Sequence, residues 1–122
     1  FGEELANHVR QGANVLINVS NIAWFGDSHA LTQHLAISRM RALELVRPML
    51  RATNTGMTAG IDPLGQVYAQ LPTYEQGALD LTVQPTSGTT PFTQLGMLAP
   101  FLLAAGMLLI GAAVARIDRI GS

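Results

Sequence analysis

Gly96-Met97-Leu98-Ala99-Pro100-Phe101-Leu102-Leu103-Ala104-Ala105-Gly106-Met107-Leu108-Leu109-Ile110-Gly111-Ala112-Ala113-Val114-Ala115 is an uninterrupted run without a single charged side chain. A helix rises 1.5 Å per residue, so about twenty such residues cross the roughly 30 Å hydrocarbon core of a bilayer. The alternative for so apolar a helix is burial in a large soluble core, and a chain of 122 residues has too little material to surround it. The spacing therefore predicts one transmembrane helix over 96–115. Pro100 lies near its start and is tolerable there, because early helix positions lack intrahelical N–H partners. Arg116 and Arg119 follow at once. By the positive-inside rule they predict a cytoplasmic tail over 116–122 and place the preceding domain on the outer side of the membrane.

Working outward from that run, the charge distribution divides the chain. Charged residues make up 12% of the sequence, about half the roughly 25% of soluble domains, and none lies between Asp80 and Arg116. Residues 84–95, rich in Pro, Thr, Ser and Gly, have the composition of a linker, and 1–83 have that of a globular domain. A net charge of −1 offers no basic patch for nucleic acid. All seven basic residues are Arg, and Lys and Cys are both absent. Within this chain that excludes disulfides, thiolate metal sites, a Cys nucleophile and Lys-based catalysis. Phe1-Gly2-Glu3-Glu4 is no signal peptide, and the missing initial Met suggests that residue 1 is an internal cut.

Leu5 and Val9 share one face of a helix over 2–11 that Gly12 should stop. Ala13 to Asn21 is β-branched and apolar on consecutive positions, which predicts a strand covered on both faces. Ile22 to Ala30 is a loop with large apolar side chains. A helix follows from Leu31 to Val46, with Leu35, Ala42, Leu43 and Val46 facing the core and Arg41, Glu44 and Arg47 facing away. Arg39 falls inside the apolar arc, which predicts a buried guanidinium with a carboxylate partner from upstream; a substrate phosphate is the lesser alternative. Pro48 ends the helix. Met49 to Thr53 is a strand, and Asn54-Thr55-Gly56 is a turn. Met57–Ile61 and Gln66–Leu71 form a hairpin around the type I turn Asp62-Pro63-Leu64-Gly65, and Ala78–Val83 is a further strand.

Asn18-Val-Ser-Asn-Ile-Ala-Trp-Phe-Gly-Asp-Ser28, Gln33-His34, Arg39-Met-Arg-Ala-Leu-Glu44, Arg47-Pro48, Arg51-Ala-Thr-Asn54 and Ser87-Gly-Thr-Thr-Pro-Phe92 resemble, in this order, the motifs of apolipoprotein N-acyltransferases. The resemblance implies an α/β fold, the C-terminal part of a nitrilase-like αββα sandwich (1–83) followed by one transmembrane helix. It implies an enzyme of the bacterial inner membrane, with the nitrilase-like domain on the periplasmic side. Such an enzyme moves an acyl chain from a phospholipid to the N-terminal cysteine amine of a diacylated lipoprotein through a Cys thioester, without cofactor or metal. The family's Glu-Lys-Cys triad matches no position here. Glu3 and Glu4 do not correspond to its Glu, so the chain alone is expected to be inactive and to depend on the upstream part of the same enzyme. The Asp that usually follows Asn21 is Ile22 in this sequence. Ile cannot accept backbone hydrogen bonds, so the loop is looser, or another group compensates, or the change is natural variation without consequence.

Trp24, Phe25 and Asn21 are the candidate substrate-binding residues, because a loop after a strand is where α/β domains place such contacts. The aromatics either line an acyl pocket or dip into the lipid interface, or else they pack between the loop and the core. Asn21 and Asn54 each end a strand; Asx-turn bonds to their own backbone are favoured over contacts at the site. Arg41 and Glu44, three apart, read as an ion pair. His29 and His34 lack a third ligand and do not read as a metal site. Two further readings compete with the acyltransferase: a membrane-anchored nitrilase-type amidohydrolase that uses water, and a non-catalytic anchored fragment.

Overall fold

The structure, a computed structural model, describes residues 2–96 and 98–120. The chain opens with α1 (Gly2–Arg10), and β1 (Leu16–Ser20) follows. Gly12 ends the first helix at a φ of +106°, a conformation open to residues without a Cβ. A single 3-10 turn, Ala23–Phe25, leads into α2 (His29–Leu45). Then come β2 (Met49–Thr53), β3 (Ala59–Ile61), β4 (Val67–Gln70), the short α3 (Pro91–Leu95) and α4 (Leu98–Ile120).

The four strands form one sheet in the order β1-β2-β3-β4. β1 and β2 are parallel, joined by α2 as a βαβ crossover, and β2, β3 and β4 form an antiparallel meander. The meander's tight turn is built by Asp62: its Oδ1 accepts from Leu64 N at 2.9 Å and Gln66 N at 2.8 Å, and its carbonyl accepts from Gly65 N at 3.0 Å. Core residues Ala6 and Val9 of α1, Leu35, Ala42 and Leu45 of α2, and Leu16, Met49, Ala59 and Ile61 of the sheet meet in one cluster, with Phe92 of α3 at its margin. The helices thus cover one face of the sheet, the arrangement of one α/β half of a layered sandwich.

Several expectations are corrected. β1 is covered on one face only: Leu16 is buried, whereas Ile17 and Val19 are 74% and 80% exposed. In a strand, side chains alternate, so Ile17 and Val19 share the face that the helices leave uncovered. Ala78–Val83 forms no strand. Leu81 instead reaches over Gly60, where a Cβ would stand 2.8 Å from Leu81 Cδ1 and 2.7 Å from the Tyr68 ring. This segment crosses the open face, and with Ile17, Leu50 and Ala52 it lines a groove of about 410 Å³.

The buried arc of α2 is Leu31, Leu35, Ser38, Ala42 and Leu45, and Leu43 is exposed. The buried stripe is turned toward Ser38, which the apolar pattern had no reason to favour. That rotation moves Arg39 to the rim: it is exposed, and its Nε donates to Gly65 O at 2.7 Å, not to a carboxylate. Arg41 Nη1 lies 2.7 Å from Glu44 Oε2, the expected ion pair. The helix stops at Leu45 because Val46 turns left-handed (φ 50°, ψ 50°).

The Pro/Thr/Ser/Gly-rich stretch is stitched to the domain. Thr86 Oγ1 donates to Val46 O at 2.6 Å, and Thr90 Oγ1 donates to Glu44 O at 2.7 Å. Thr90 and Thr93 form a reciprocal capping box at the start of α3, with Thr93 fully buried. Arg47, buried among helix, sheet and stretch, donates from Nε to Ala13 O at 2.8 Å and from Nη2 to Gly88 O at 2.7 Å. Beyond it, α4 contains a segment, Leu98–Ile117, with mean hydropathy 2.3 and no buried residue. It is long and apolar enough to cross a membrane.

Candidate functional site

In open α/β sheets, ligands approach the carboxyl ends of parallel strands. Here those ends are Ser20-Asn21 on β1 and Thr53-Asn54 on β2, side by side through the register Ser20–Thr53. The Ala23–Phe25 turn rises from this edge.

Side-chain amides build the turn. Asn21 Oδ1 accepts from Ala23 N at 3.3 Å, the expected Asx bond. Asn54 makes no Asx turn of the expected kind: its Oδ1 accepts from the adjacent Thr55 N at 3.0 Å and, across the strands, from Ile22 N at 3.1 Å. Asn54 Nδ2 donates to Asn21 Oδ1 at 2.8 Å. Both lone pairs of the Asn21 oxygen are thereby used, which leaves its amide nitrogen as the group able to reach a ligand. The loop with Ile22 in place of a carboxylate is therefore not left unsupported: Asn54 takes the Ile22 amide, and the Ile22 side chain is itself buried at 2% exposure.

Of the two aromatics, Trp24 projects outward at 86% exposure, so it does not pack into the core of the described domain. Phe25 is half-exposed and leans on the His34 ring of α2, with centroids 5.2 Å apart and planes tilted by 45°. His34 in turn connects downward. Its carbonyl accepts from Ser38 Oγ at 3.1 Å and from Arg51 Nη1 at 3.4 Å.

Arg51 is the polar residue that sequence reasoning missed. It is 3% exposed between β2 and α2, and its Nη1 donates to Ser38 Oγ at 2.8 Å and Asn18 Oδ1 at 3.4 Å. Its Nε and Nη2 have no hydrogen-bond partner among the described residues. Burial pushes its pKa below the usual arginine value. The signal was present in the alternation of β2, where Met49, Arg51 and Thr53 must share the helix-covered face. Chemically, the site offers an aromatic contact surface on a turn held from both strands, with the Asn54 and Ser38 side chains beneath it committed to support.

Comparison with known proteins places these features. Over 125 aligned residues the chain is 55% identical to an apolipoprotein N-acyltransferase of Ralstonia nicotianae, covering all of this chain and 24% of that protein. One from Bordetella bronchiseptica is 50% identical over 85% of this chain and 19% of its own length. Another, from Haemophilus influenzae, is 41% identical over 98% of this chain and 23% of its own. The chain thus spans about a quarter or less of the curated relatives it matches. The carbon-nitrogen hydrolase family model covers residues 1–91, from α1 through the sheet to the first residue of α3, and with this fold beneath it the chain belongs to the carbon-nitrogen hydrolase family.

Proposed function

We propose that this chain is the C-terminal portion of an apolipoprotein N-acyltransferase. The observation that carries the reading is the likeness, along the whole chain, to proteins bearing that name. In this reading a Cys outside residues 1–122 attacks the ester of a phospholipid, releases the lysophospholipid and holds the acyl group as a thioester. The N-terminal cysteine amine of a diacylated lipoprotein then takes it. This chain, which contains neither Cys nor Lys, supplies scaffold, contact surface and anchor. Trp24 and Phe25 are the acyl-facing contacts, and Asn21 presents its amide nitrogen beside them. The exposure of Trp24 on a braced turn supports that assignment. Residues 1–83 are the nitrilase-like portion, 84–95 the connection, 96–115 the membrane span and 116–122 the tail. The enzyme lies in the bacterial inner membrane with this portion on the periplasmic side and the C-terminus in the cytoplasm.

The full-length protein, incubated with phospholipid and a diacylated lipopeptide, should yield N-acylated peptide and lysophospholipid in equal amounts. Free fatty acid without acylated peptide would instead establish the second reading, a membrane-anchored amidohydrolase-type enzyme, which the carbon-nitrogen hydrolase match over residues 1–91 also supports. A fluorescent-protein fusion after Ser122 should fluoresce in whole cells if the tail is cytoplasmic; a dark fusion with an active phosphatase counterpart overturns the orientation.

A further inference from the structure

Asn54 makes more bonds than a strand-ending Asn needs. An Asx turn uses one, from the side-chain oxygen to the N–H two residues on. Here the same oxygen is shared between Thr55 N at 3.0 Å and Ile22 N at 3.1 Å, and Nδ2 donates to Asn21 Oδ1 at 2.8 Å. Two acceptor bonds and one donor bond, at this reach, call for the Asn side chain. Asp has no donor, and Ser is too short. The second anchor is apolar. Ile22 is buried, and it rests where a Cβ at position 56 would overlap its Cδ1 and stand 3.0 Å from its Cγ1 and 3.3 Å from Thr53 Oγ1. Only glycine at 56 leaves that seat open.

We propose that Asn54 is the positioning residue of the Ala23–Phe25 turn, with Ile22 seated on Gly56 as its lower anchor, and that through the turn it sets the affinity for the acyl donor. The inference rests on the reading that Trp24 and Phe25 contact the donor's acyl chain. Trp24 has almost no neighbours of its own, so its direction is fixed by the backbone that carries it. That backbone is held from β2 by Asn54 and from below by Ile22. Releasing either anchor lets the turn sample many directions, and binding then has to order it again, a cost that falls on affinity and not on the chemical step.

The test uses the full-length enzyme in detergent with a phospholipid donor and a diacylated lipopeptide acceptor. Asn54→Ala should raise KM for the phospholipid about tenfold with kcat within about twofold. Amide exchange in peptides covering residues 21–26 should accelerate about tenfold or more, with the rest of the domain unchanged. Asn54→Asp, which keeps the acceptor bonds to Ile22 and Thr55 and loses the donor, should fall between wild type and Asn54→Ala in both readouts. Gly56→Ala should resemble Asn54→Ala. In a Trp24→Ala/Phe25→Ala background, Asn54→Ala should add nothing to KM; an undiminished effect there would show that Asn54 acts elsewhere and overturn the proposal. Unchanged exchange at 21–26 would overturn the clamp itself. A wild-type KM for Trp24→Ala/Phe25→Ala would overturn the acyl-contact reading and the affinity role built on it, a failure distinguishable from loss of the clamp because exchange is read independently.

Discussion

Arg47 and Arg51 are both buried, both without a carboxylate partner among the described residues, and they differ in how their N–H groups are used. Arg47 directs Nε, Nη1 and Nη2 to backbone carbonyls of Ala13, Leu45, Val46 and Gly88. One of these, Val46, is a β-branched residue held left-handed, a conformation costing about 1–2 kcal/mol, and its carbonyl also accepts from Thr86. Arg47→Lys keeps the charge but cannot span these acceptors, so carbonyls at both ends are left unpaired. The expected loss is about 2–4 kcal/mol, read as a lowered thermal midpoint of the full-length protein in detergent. A loss below about 0.5 kcal/mol would mean that water replaces the guanidinium without penalty. Little of this was legible in the sequence. Arg47 read as solvent-facing on the helical wheel, because the wheel continues a helix through a residue that the structure places beyond the left-handed stop.

At the scale of elements, β1 and α2 show what periodicity resolves and what it leaves open. The type and order of α1, β1, α2, β2 and the β3–β4 hairpin followed from spacing and turn residues, since Gly12, Pro48 and Asp62-Pro63-Leu64-Gly65 act locally. Which face is inside did not follow. α2 is apolar on both sides, with Ile37, Met40 and Leu43 exposed opposite Leu35, Ala42 and Leu45, so partners from other elements select the buried stripe. β1 is likewise apolar on its open side. In a two-sheet sandwich that side is an inner face, which yields an expected outcome for the proposed full-length enzyme. Val19→Asp, at a position 80% exposed in this chain, should cost more than about 2 kcal/mol by thermal unfolding of the full-length protein. A cost within about 0.5 kcal/mol, the usual range for surface changes, would show that no second layer covers it.

For the whole molecule, α4 and the domain before it obey different solvents. No residue of Leu98–Ile117 is buried, and the segment's mean hydropathy of 2.3 suits hydrocarbon, whereas α1 to β4 build an ordinary core. Leu108→Arg puts a charge at the middle of that segment. It should cost about 2.5–3.5 kcal/mol of insertion. The measurement is carbonate extraction of a soluble reporter fused to α4 as its sole apolar helix, where the substitution should move the fusion into the extractable fraction. Equal membrane retention with and without the arginine would show that the segment is not a span. The stretch between the two regions reads as a linker by composition, yet Arg47, Thr86 and Thr90 dock it onto the domain.

The sequence alone determined the apolar C-terminal helix, the order of the elements from α1 to β4 and the family resemblance, because charge, hydrophobic spacing and turn residues act over a few positions. It also located the Trp24–Phe25 loop. The tertiary structure decided how that loop is held and which faces are covered. Asn54 reaches Asn21 and Ile22 only because β1 and β2 lie side by side, and Arg51 and Ser38 meet only because α2 crosses over them. Contacts of that kind join residues 13 to 33 positions apart, and no local pattern records them.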